Sequence, residues 1–272
     1  MRSAGALCAF MLLMIGSPAQ AAPLADLAEI VARGRLMQQL DQAAWITTDD
    51  LMAMLPAERA PEVGGWVVTP TDAGLRVDYF GQGDMADRAI YSARIVDGHI
   101  VESRLHPADA LPSLDRTAHA LRVALMLARG EMARHADWQA CTPAPFNTIV
   151  MPPDRDGIIN VYFMSAQVAA GEIPFGGHYR IAIGPDGTIR SGRAFAKSCL
   201  MLPAHDPDGL KRGGLYLTHL LDPQPTEVHV FEQIASGLPL YVMTTGNGLS
   251  WSVTDQGIAR IDVLPEPVGP TI

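Results

Sequence analysis

The chain is short of the residues that mark particular chemistries. Three cysteines in 272 residues exclude a disulfide-dense mini-scaffold. Lysine is confined to Lys197 and Lys211, and Lys+Arg 20 are outnumbered by Asp+Glu 29, for a formal net charge of −9. Such a chain has no positive field for phosphates or anionic lipids, so no nucleic acid is expected among its partners. Aromatic residues make up 6%, and Trp45, Trp66, Trp138 and Trp251 are too scattered for a stacking platform. No phosphate loop is written: Gly64-Gly65, Gly176-Gly177 and Gly213-Gly214 lack a following Lys-Ser/Thr and read as turns or sheet bends. Neither G-x-S-x-G nor H-E-x-x-H occurs, and no repeat of fixed period is visible.

What is present begins with an address. Arg2 is the only charge before Asp26, and an apolar stretch at 4–15 is followed by Gly16, Ser17, Pro18 and then Ala19-Gln20-Ala21. A basic start, a short apolar middle and small residues at the end make a secretory signal peptide over 1–21, cleaved near Ala21. The stretch is too short to cross a hydrocarbon core, which needs about 20 residues. Leu7 before Cys8 is not the small residue of a lipoprotein site. No later apolar run reaches spanning length, so no transmembrane segment is expected in the mature chain. The expected location is the periplasm or the medium.

The mature chain, with 48% hydrophobic residues, reads as α+β, antiparallel and β-rich with a few helices. Helical spacing runs over 23–42, and Thr47 or Thr48 is placed to cap a second short helix at 49–55. Short β-rich runs separated by turn residues fill 63–105, and Asp97-Gly98 between two of them is a two-residue hairpin signal. Ser113 is expected to cap the strongest helical stripe, at about 114–132. From residue 147 onward the chain reads as strands, including 215–220, 227–231 and 238–244 as a meander, with Gly184-Pro185-Asp186-Gly187 as a hairpin turn. No βαβ rhythm is apparent. This divides the chain into the signal, an N-terminal α+β region at 22–140 and a β-rich region at 141–272, either separate or continuous.

Removal of the signal leaves Cys141 and Cys199, which an oxidising compartment would pair. Three stretches of the second half carry denser polar chemistry: Gly176-Gly177-His178-Tyr179-Arg180, Lys197-Ser198-Cys199, and residues 218–231 with His219, Asp222, Glu227 and His229. Read as strands, these place His178 beside Arg180 on one face and Glu227 beside His229 on another. Two functions follow. In the first, the protein is a periplasmic binding or envelope-support module with Arg180 as a binding residue and an envelope protein or small molecule as partner. In the second, it is a metal-dependent hydrolase, zinc first, with His178, His219 and His229 as ligands and Glu227 as fourth ligand or as base on a bound water. Against the second stands the bland alternative that the histidines satisfy structural partners and that Arg180 neutralises Glu227. A partner-binding protein using exposed strand edges is a third class.

The Gly176–Arg180 block, Lys197-Ser198-Cys199 and residues 218–231 also resemble blocks in uncharacterised secreted proteins of Gram-negative bacteria. The resemblance covers mainly 147–262. It implies an envelope address, and brings no activity, ligand or cofactor.

Overall fold

Asp26 opens the first helix by accepting a hydrogen bond from the Ala28 amide, and α1 then runs unbroken over Leu27–Met54. The computed structural model describes residues 25–206, 208–210 and 212–262. The expected signal peptide and its cleavage point near Ala21 lie outside these residues. The expected break before residue 49 does not occur. Thr47 and Thr48 turn their hydroxyls back onto the carbonyls of Ala43 (2.7 Å) and Ala44 (2.8 Å), so neither caps a new helix. Pro56 follows directly after the helix ends at Leu55.

Four antiparallel strands follow in sequential order: β1 (Val63–Thr71), β2 (Gly74–Gly81), β3 (Ala89–Val96) and β4 (His99–Leu105). Val96 pairs with His99 across Asp97 and Gly98, whose φ values of 50° and 76° are those the hairpin dipeptide predicts. The main helix, α2, spans Arg116–Met132. Its cap is Asp115, which accepts from the Ala118 amide, and not Ser113, whose hydroxyl accepts from Arg88.

The second half begins with β5 (Asn147–Val150), β6 (Ile159–Met164), β7 (Glu172–Pro174), β8 (Tyr179–Ile183) and β9 (Ile189–Ala194). These form an antiparallel sheet in the order β5-β6-β8-β9, while β7 pairs with β10 (Met201–Pro203) as a small ribbon. The Cys141–Cys199 disulfide forms, tying the segment after α2 to the loop after β9.

The remainder corrects the sequence reading. β11 (Leu215–His219) is followed by a helix, α3 (Glu227–Ser236), and then by β12 (Leu240–Thr244), β13 (Leu249–Thr254) and β14 (Gly257–Ile261). β11 and β12 run parallel, so residues 215–244 are a βαβ crossover and not part of a meander. Thr226 caps α3 and Gly237, at φ 62°, ends it.

Packing sets these pieces in layers. β1 lies beside β5 without pairing to it. Val68, Tyr79, Ile149 and Tyr162 share a core with Met37, Leu40 and Ala44 of α1, whereas their neighbours Val67, Phe80, Val150 and Val161 share one with Leu121 and Leu125 of α2. Strand side chains alternate, so the two helices cover opposite faces of the paired sheets. The third sheet packs through Leu240, Val242 and Trp251 against Val230 of α3 and Leu27, Ile30 and Val31 of α1. The layer formed by α1 and α3 is therefore buried between two β layers. The first core combines residues from both sides of 139–146.

Gly34 is where α1 and α3 meet most closely. A Cβ there would lie 2.5 Å from Val230 Cβ and 2.7 Å from the Glu227 carbonyl oxygen. Alanine would favour an isolated helix by about 1 kcal/mol, but here it must force the helices apart, at about 1–3 kcal/mol. Gly34→Ala is expected to lower the urea midpoint of unfolding; an unchanged or raised midpoint would show that the crossing yields freely.

Candidate functional site

A cleft of about 310 Å³ opens where the start of α1, the N-terminus of α3 and the strands β8 and β9 converge. Sheet register supplies its first charges. Tyr162 of β6 stands opposite Arg180 of β8, and Arg180 opposite Arg193 of β9, making one row across three strands. Like charges directly opposite one another repel, and carboxylates from the α3 side answer each arginine. Glu227 Oε1 accepts from Tyr162 Oη at 2.7 Å and from Arg180 Nη1 at 3.2 Å. Asp222 takes Arg193 in a two-pronged bond at 2.9 and 2.6 Å. Arg33 of α1 reaches in from above, with Nη2 2.7 Å from Glu29 Oε1 and Nη1 4.0 Å from Glu227 Oε1.

These contacts set the protonation of the site. Burial and the neighbouring Glu227 push the Tyr162 phenol far up, so it stays a hydrogen-bond donor. Burial would raise Asp222, but bonds from His219 and Arg193 outweigh it and hold the carboxyl well below the usual range. Burial likewise opposes the charge of Arg33 and Arg193, and the facing carboxylates more than restore it.

Two polar atoms in the lining are left over. Arg180 Nε is buried and has no hydrogen-bond partner among the described residues. Gln224, only 4% exposed, donates from Nε2 to the Ala25 carbonyl, while its buried Oε1 has no donor among the described residues. A buried donor and a buried acceptor without partners each cost about 1–3 kcal/mol; other such atoms occur elsewhere among the described residues, and these two are set apart by lying in the cleft lining.

The predicted metal ligands have other partners. His178 is fully buried; its Nδ1 accepts from the Ser165 amide, and its Nε2 lies 2.7 Å from the Pro174 carbonyl and 3.3 Å from Glu232. Burial lowers its pKa to about 4 and raises that of Glu232 well above the carboxylate range, so the pair is neutral. His219 Nε2 meets Asp222 Oδ2 at 2.8 Å. His229 is the third residue of α3, where its Nδ1 accepts from the Thr226 amide as glutamate does in a capping box. Burial first, and then His219, lower its pKa far below the ordinary value. The rings of His219 and His229 meet edge to face at 4.6 Å and line a second, smaller pocket of about 120 Å³. Glu227 and His229 do not share a strand face. They are two positions apart on a helix, so Glu227 turns to the cleft and His229 to the second pocket. Among the described residues no group of three or more His, Cys, Asp or Glu is arranged to hold a metal ion.

Of the predicted residues, the cleft thus gathers Arg180 and Glu227. It adds Arg33, Arg193, Asp222 and Gln224, with Tyr162 buried behind them; of these only Asp222 stood out in the sequence, as part of a polar stretch. The capping pattern Thr226-x-x-His229 with Gly237 behind it was the available signal for α3. Compared with protein-family models, with curated proteins and with solved structures, the chain matches none.

Proposed function

We propose that the protein is an exported binding module that holds a small charged ligand in the arginine–carboxylate cleft. The carrying observation is the convergence of three guanidiniums on a concave surface whose buried Arg180 Nε and Gln224 Oε1 lack partners. Binding sites of this kind fix a ligand with a few convergent polar groups. The first-turn end of α3 contributes a positive dipole through Thr226 and Glu227 at the lining. An exported address, in the periplasm or the medium after cleavage near Ala21, is supported by the disulfide and by the resemblance to secreted bacterial proteins. Among the described residues no helix is long and apolar enough to cross a membrane. The zinc-hydrolase reading on His178, His219, His229 and Glu227 draws no support from the partners those side chains already have.

The test is a thermal-shift screen of small acids, amines and zwitterions against the wild type and Arg180→Gln. At least one compound is expected to raise the melting temperature of the wild type by several degrees and to leave the variant unmoved. Equal stabilisation of both proteins would remove the cleft as the binding site.

A further inference from the structure

We propose that the ligand of this cleft is a small zwitterion, with a carboxylate and an ammonium group on one compact frame. The inference rests on the binding reading above and specifies its ligand.

The lining carries guanidiniums from Arg33, Arg180 and Arg193, and carboxylates from Asp26, Glu29, Asp222 and Glu227. A pure anion entering it would face the carboxylates, and a pure cation the guanidiniums. The arginine side chains, 21–31% exposed, are backed by the deeper carboxylates of Glu227 (8%) and Asp222 (18%) and form the floor that a ligand meets, whereas Glu29, 68% exposed, stands at the mouth. The leftover hydrogen-bonding atoms repeat the pattern, since Arg180 Nε needs an acceptor and Gln224 Oε1 needs a donor. A carboxylate answers the first, and an ammonium group answers the second. A zwitterion answers both, its carboxylate on the arginine floor beside the first turn of α3 and its ammonium group between Gln224 and Glu29. Asp222 and Glu227 hold the floor guanidiniums in place, so little side-chain ordering remains for the bound state.

Isothermal titration calorimetry in low-salt buffer tests this with the twenty L-amino acids. For the tightest of them, two analogues follow, one lacking the α-amino group and one with the carboxylate converted to the amide. The zwitterion is expected to bind at least tenfold more tightly than either analogue. Glu29→Gln, at an exposed position, is expected to weaken the zwitterion about tenfold and, because it also releases the Arg33 guanidinium, not to weaken the acid-only analogue. Arg180→Gln is expected to weaken the zwitterion and the acid-only analogue alike. If the acid-only analogue matches the parent and Arg180→Gln weakens both, the zwitterion proposal is overturned while the cleft remains a binding site. If no amino acid binds, the zwitterion proposal is overturned; if binding occurs but ignores Arg180→Gln, the cleft reading falls with it.

Discussion

Replacing Cys141 and Cys199 together by alanine should lower the stability of the protein by about 4 kcal/mol. The bridge closes a loop of 58 residues, and the loop-closure entropy removed from the unfolded chain at that length corresponds to about 4 kcal/mol, within a range of roughly 2–5. Cys199 is solvent-exposed, so the same loss should follow from reductant acting on the folded protein. Urea unfolding with and without dithiothreitol measures it. A double variant with an unchanged midpoint would show that the loop is already restrained in the unfolded chain.

At pH 8 the Asp41→Asn variant should be more stable than the wild type by about 2–3 kcal/mol, and at pH 4 the two should coincide. Burial in α1 raises the Asp41 carboxyl from 3.8 to about 6. A group raised in this way holds its proton more tightly in the folded chain. Its contribution is complete below about pH 4 and is lost as the pH rises through 6. The gap is worth about 3 kcal/mol at 1.36 kcal/mol per pH unit, and relaxation around the charge reduces it. Glu232 is raised by burial and by Asp41 itself, so the two carboxyls act in the same direction. His178 and His229 oppose them, because a buried neutral imidazole loses stability as the pH falls below 6.5. The wild-type profile mixes all four groups, and the difference between wild type and variant reports Asp41 together with its effect on Glu232. Chemical denaturation at both pH values is the measurement; equal stability at pH 8 would mean that water reaches Asp41.

The sequence carried the architecture where local chemistry decides it. Asp97-Gly98 admits only one kind of turn, the apolar stripe of α2 only one buried face, and two cysteines only one bridge. It misled where two local signals compete. Residues 227–231 alternate as Glu-Val-His-Val-Phe, which suits a strand, yet the Thr226–His229 cap and the αL glycine at 237 make them a helix. The cleft was harder to see. The pairing of Ile183 with Ile189, continued without a shift, would set Arg180 opposite Gly192. The register shift between Ala182 and Ile183 instead sets it opposite Arg193. Nothing in the local sequence marks that shift, and without it the row Tyr162–Arg180–Arg193 does not exist. Arg33 is invisible for a different reason: its place depends on α1 crossing α3 at Gly34, far along the chain from the other arginines.

The burial of α1 between two β layers has a consequence for the order of folding. Its first turn is fastened by the Gln224 side chain to the Ala25 carbonyl, and its middle by Arg35 to the Asp255 carbonyl, across 199 and 220 residues of chain. Contacts at such separation form late, because long loops must close before they are rewarded. These two attachments of α1 are therefore late to form, and the cleft beneath it is completed only when the hairpin of β13 and β14 is in place.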